Sequence, residues 1–268
     1  MQGTALSEVL MNTTTPWLAL SFTLLCATGI QAADTSAPTI IRDYTDIVAP
    51  ADQQAYEAGV KNFNQCLHQH GFKFTWKAWV HETGNTYKYS YVSDPLSWES
   101  FDAMNTAGKA CDPTLRTAVN PHLKSETSSF LEVMPELSHM PKAADPASAL
   151  IEVTFFKLKP GHEAAEAFVA AAKKIAAAAD KSNWAFNYTI GRVREGDEGA
   201  PDFILVGPAK SWADLGKEPD PSVWKMVENV YGKEAGQAIR KSVNEALQSV
   251  SSHVDSYSAD LTYTAAGK

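Results

Sequence analysis

Two stretches of the chain alternate in the same way. Phe72, Phe74 and Trp76 take every second position of FKFTW, and Trp184, Phe186 and Tyr188 do so in WAFNY. A period of two puts the three rings of each stretch on one face of a strand. The surroundings repeat as well, in the same order. A β-branched run ended by proline opens each copy, TIIRDYTDIVAP closing on Pro50 and ALIEVTFFKLKPG passing Pro160. Each is followed by an amphipathic helix: Tyr56, Val60, Phe63 and Leu67 fall on one face in the first, Phe168, Ala172, Ile175 and Ala179 in the second. After the aromatic strand comes another, TYKYSYV or PDFILVG, aligning Tyr89 with Phe203 and Tyr91 with Leu205.

Asp94-Pro95 and Gly207-Pro208 stop these strands, and PLSWESF and AKSWADL begin the next helices with Trp98 and Trp212 turned back to the sheet. The second copy continues with a helical stripe of Ile239, Val243, Leu247 and Val250. SSFLEVMPELS and SSHVDSYSADLT close the copies as strands. The order β-α-β-β-α-β, written twice, is an α+β fold of two tandem ferredoxin-like units. The boundaries it predicts are 34–140 for the first unit, 141–149 for a linker rich in Pro and Ala, and 150–268 for the second. A four-stranded sheet with helices on one face leaves the other bare, and pairing two bare faces covers both.

The first 33 residues differ from the rest. LALSFTLLCA is too short to span a bilayer and is followed by Ile30-Gln31-Ala32-Ala33, small residues suited to cleavage. This predicts a secretory signal peptide, a periplasmic or secreted mature chain, and no stable membrane insertion after cleavage. The lack of Lys or Arg before Arg42 departs from the usual signal pattern, and a buried N-terminal helix is the alternative. Removing the signal removes Cys26 and leaves Cys66 and Cys111, which export would favour as a disulfide over two free thiols. A net charge of −8, with scattered basic residues, argues against nucleic acid as a partner.

The doubled aromatic pattern resembles the dimeric α+β barrel superfamily, which includes antibiotic-biosynthesis monooxygenases, EthD-like proteins and haem-handling relatives. Here it is a tandem fusion, so the resemblance implies a monomer whose barrel closes within one chain. It also implies a cavity, within the barrel or between sheet and helices, for a small apolar or aromatic molecule. On that topology Cys66 and Cys111 fall on neighbouring helical segments, within reach of a bridge.

The candidate ligand-binding residues are Trp76, Tyr89, Tyr91 and His81 in the first unit and Tyr188 and Arg192 in the second. Trp76 and Tyr188 hold matched positions near a shared cavity, and Arg192 suits an anionic group. On the strand ending at His81, either Trp76, Ala78 and Val80 or Lys77, Trp79 and His81 face the interior; the sequence leaves this open. No GxSxG, P-loop, GxGxxG, HExxH or paired metal-ligand spacing occurs, so no cofactor, metal or catalytic residue is assigned. Three functions fit: binding of a small apolar or aromatic molecule, a cofactor-independent monooxygenase or haem-linked enzyme, and a protein-interaction module with a filled core.

Overall fold

A computed structural model describes residues 39–140 and 148–266. The predicted signal segment and most of the linker lie outside the described residues. The strands are β1 (Ile40–Val48), β2 (Trp76–His81), β3 (Lys88–Ser93), β4 (Leu123–Val133), β5 (Leu150–Leu158), β6 (Thr189–Glu195), β7 (Phe203–Ala209) and β8 (Leu247–Tyr263). The main helices are α1 (Gln53–Gln69), α2 (Trp98–Gly108), α3 (His162–Ser182), α4 (Val223–Tyr231) and α5 (Lys233–Ala246). Residues 109–122 form a succession of short 3-10, α and π turns.

The eight strands close into an antiparallel barrel in the order β1-β3-β2-β8-β5-β7-β6-β4, with β4 returning to β1. Within each half the order is the same: β4-β1-β3-β2 in one and β8-β5-β7-β6 in the other. The halves meet where β2 pairs with β8 and β4 with β6, which leaves the sheet no open edge. The helices pack on the outside. Their layer in the second half is one continuous apolar core containing Phe168, Trp184, Phe203, Met226 and Ile239. In α3 the buried small residues Ala171, Ala172, Ala176, Ala178 and Ala179 admit close neighbours.

Strand alternation resolves the facing question. Ala78 packs with Tyr56 and Val60 of α1, so Trp76, Ala78 and Val80 face the helices and Lys77, Trp79 and His81 the barrel interior. On β1, Tyr44, Asp46 and Val48 face the helices, while Asp43 and Thr45 point inward.

Three sequence expectations shift. Of FKFTW only Trp76 is in a strand; Phe72 and Phe74 lie in the preceding connection, Phe72 resting on Tyr263 at 5.6 Å. Trp76 pairs with Ser93 and Tyr263, the last residues of β3 and β8, so residues before it have no ladder partner. Trp184 and Phe186 likewise precede β6, and Tyr188 makes only an isolated bridge to His139. The helical stripe ends at Ala246. Leu247 and Val250 belong to β8, where pairing with Leu158 and Phe156 supplies the backbone bonds that a serine-rich helix would have to make alone.

Cys66 and Cys111 form a disulfide, their Cα atoms 5.8 Å apart, tying α1 to the turns after α2. Among the described residues no helix is long and apolar enough to cross a membrane.

Candidate functional site

The first half has two apolar clusters where the second has one. Leu67, Phe72, Phe101 and Met104 belong to one, Val48, Tyr56, Val60 and Tyr89 to the other. Between them lies a cavity of about 290 Å³, reached by Phe63 and Leu67 of α1, Met104 of α2, Trp76 of β2 and Tyr91 of β3. Leu115 and Val119 complete its wall because the turn carrying them abuts α1 at Gly59. A Cβ on Gly59 would fall 1.9 Å from the Ala118 carbonyl oxygen, so only glycine admits this approach.

One side of the cavity is polar. Asp46 and Glu126 both line it and face each other across the β1–β4 ladder. The Tyr56 hydroxyl lies 2.6 Å from Asp46 Oδ2 and 2.8 Å from the Tyr91 hydroxyl, so its single proton serves one or the other. Asp46 Oδ1 is buried with no hydrogen-bond partner among the described residues. Burial pushes the Asp46 carboxyl up to about 7, with Glu126 adding to the rise and the Tyr56 hydrogen bond opposing it. Burial, chiefly, holds the Tyr56 and Tyr91 phenols far above their ordinary range, so both stay protonated. The result is an aromatic pocket with a carboxyl group poised to exchange a proton near neutral pH.

The residues predicted from sequence divide among five places. Trp76 and Tyr91 line this cavity. Tyr89 is fully buried beside it, accepting from Gln53 Nε2 and donating to Glu57 Oε1, both at 2.7 Å. Tyr188 is buried in the second-half core, and Arg192 is exposed, so Trp76 and Tyr188 are not brought to one cavity. His81 points into the barrel.

There it meets residues that sequence reasoning did not select as a group. His81 stacks on His253 at 4.2 Å, and Asp255 Oδ1 lies 3.1 Å from His253 Nε2 and 3.7 Å from His81 Nε2. Ser90 Oγ is 3.2 Å from His81 Nε2 and 3.2 Å from the Thr45 hydroxyl, which donates to Asp43. Burial, foremost, pushes the Asp43 carboxyl up to about 7 and His81 down to about 4. Sequence reasoning also passed over Asp46 and Glu126. For Asp46 the signal was present, since the alignment of the copies sets it against Phe156; Glu126 matches Val250 in the strand register.

A second cleft, of about 380 Å³, opens in the other half between Glu152, Phe186, Gly207, Asp214 and Lys217. It is larger, but among the described residues Phe186 is the only aromatic ring in its wall, and no buried acid–phenol network adjoins it. The first-half cavity is therefore the better candidate for an aromatic ligand.

No family profile and no curated protein matches this sequence. Solved structures do match in three dimensions. An anthrone oxidase-like protein superposes with a TM-score of 0.54 at 13% identity, over 86% of this chain and 95% of that one. A candidate monooxygenase from Lactobacillus acidophilus NCFM gives 0.50 at 11% identity, over 84% and 96%. Chlorite dismutase from Candidatus Nitrospira defluvii, in complex with imidazole, gives 0.51 at 10% identity, over 84% and 93%. The fold is that of the dimeric α+β barrel proteins. At these identities the likeness carries the fold alone.

Proposed function

We propose that the first-half cavity binds a small aromatic molecule with an acidic C–H or O–H, and that the chain oxygenates it with O2 without a cofactor. The observation that carries this reading is the polar wall of an otherwise aromatic pocket. Asp46, with a pKa about 7, takes the substrate proton; Tyr91 donates a hydrogen bond to the resulting anion; Trp76, Phe63 and Phe72 hold the rings. An electron-rich carbanion then reacts with O2, and an activated methylene plus O2 yields a ketone plus water. The anthrone oxidase-like and monooxygenase-like neighbours lend this chemistry to a similar fold. Among the described residues no histidine stands in the wall of either cavity, as the haem-linked alternative would want.

The wider reading is an exported monomer of two fused ferredoxin-like units. The repeated strand order supports the duplication, intrachain closure supports the monomer, and the Cys66–Cys111 bridge suits an oxidising compartment. Oxygen uptake with one- to three-ring phenols and anthrone tests the proposal. Turnover that falls in Asp46→Asn supports it. Binding without oxygen uptake leaves a binding protein, and an Asp46→Asn enzyme as active as the parent overturns the assignment.

A further inference from the structure

We propose that His81, His253 and Asp255, inside the barrel, form a site for a divalent transition-metal ion, with zinc(II) as its reference occupant. This site is separate from the aromatic cavity and faces the opposite side of the sheet.

Ligand atoms of the three residues all lie within 4.8 Å of one another. The separations of 3.1 and 3.7 Å from Asp255 Oδ1 to the two Nε2 atoms bracket the ~3.3 Å edge of a tetrahedron with ~2.0–2.1 Å metal bonds. The two rings are stacked with planes 13° apart, so both must turn about their side-chain bonds until each ring plane passes through the ion. Two imidazoles and a carboxylate, with further positions open, is a donor set that suits zinc or iron(II) better than calcium or magnesium.

Asp255 itself points to a missing occupant. It is 2% exposed; its Oδ2 lies 3.2 Å from His253 Nε2 in a hydrogen bond, while its Oδ1 receives none among the described residues despite the two ring nitrogens nearby. A buried carboxylate oxygen without a partner is costly, and a cation bound by all three residues would satisfy it. Oxygen donors stand close by: Ser90 Oγ contacts His81, and Asp43 interacts electrostatically with Asp255 and His253.

The barrel does not require polar residues at this junction. Its two inter-half seams are built alike, and where β2 pairs His81 with Asp255, β4 pairs Leu131 with Val193. At this matched position one seam is apolar, as closure alone would favour, and the other carries His81 and Asp255 with His253 beside them.

The test uses the full chain without a histidine tag, stripped by chelator and loaded with zinc(II) or cobalt(II). We expect one tightly held ion per chain, ligand-field absorption from cobalt without thiolate charge-transfer bands, and zinc-induced shifts of the His81 and His253 imidazole resonances. The near-isosteric Asp255→Asn and the variant His253→Ala should each weaken binding by more than about tenfold, with Asp255→Asn keeping the parent circular dichroism. If Asp255→Asn fails to fold, the imidazole shifts in the parent chain decide. No stoichiometric ion, or retention undiminished in a folded Asp255→Asn, would each overturn the proposal.

Discussion

Asp46 and Phe156 hold the same place in the two halves of the barrel. Asp46 pairs with Tyr89 on one side and Glu126 on the other; Phe156 pairs with Phe203 and Val250. The helix above follows suit. Tyr56 of α1 sits over Tyr89 at 4.9 Å, and Phe168 of α3 sits over Phe203 at 4.8 Å. Where the second half builds a phenylalanine cluster inside one continuous core, the first keeps the ring positions and adds hydroxyl and carboxyl groups. It also leaves a hollow at the seam of two smaller cores. Both halves of the barrel need an apolar layer under their helices for stability. The half that gives up apolar packing and accepts buried acids is therefore the one to which the proposed chemistry is assigned.

Several substitutions would break or sharpen this contrast. The largest effect falls on turnover: Asp46→Asn removes the base and should lower the oxygenation rate by about 10²–10⁴-fold, measured by oxygen uptake with folding checked by circular dichroism. Next is stability in the packed half, where Phe168→Ala should cost about 3–5 kcal/mol in denaturant unfolding. At the matching position, Tyr56→Phe should cost only about 1–3 kcal/mol, by taking the hydrogen bond from buried Asp46. The disulfide braces the hollow half alone, and Cys111→Ser should cost about 2–4 kcal/mol.

The last effect is a pH dependence. Folded Asp46 keeps its proton up to about 7, whereas the unfolded chain releases it near 3.8. The native state therefore binds more protons between those values, and Asp46 makes the parent lose stability as pH rises through that window. Asp43 contributes a slope of the same sign in parent and variant alike. Asp46→Asn should thus gain on the parent by about 3 kcal/mol from pH 4 to 7, read from paired urea titrations.

The repeat and its order were legible in sequence because each element carries its own period and stop signal. Tyr89 against Phe203 and Tyr91 against Leu205 set the register correctly, and the register is what equates Asp46 with Phe156. Less legible were the strand limits. FKFTW alternates like a strand yet lies mostly outside the ladder, because alternation reports a face and cannot report whether neighbouring strands reach that far. The lumen cluster depended on tertiary pairing: His81 meets His253 and Asp255 only because β2 is seamed to β8, residues far apart in the chain. Lone acids in strands are usually exposed, so Asp43, Asp46 and Asp255 carried little weight before barrel closure buried them.

The central claim, that the aromatic molecule binds in the first half, is tested most directly by NMR titration of the parent chain with a panel of one- to three-ring phenols, 1-naphthol first. The account predicts shifts centred on the Trp76 indole, the Tyr91 ring and the α1 residues Phe63 and Leu67, abolished in the double variant Asp46→Phe/Tyr91→Leu that rebuilds the second half's wall. Shifts centred instead on Phe186 and Asp214, or no response at Trp76 to any member of the panel, would contradict it.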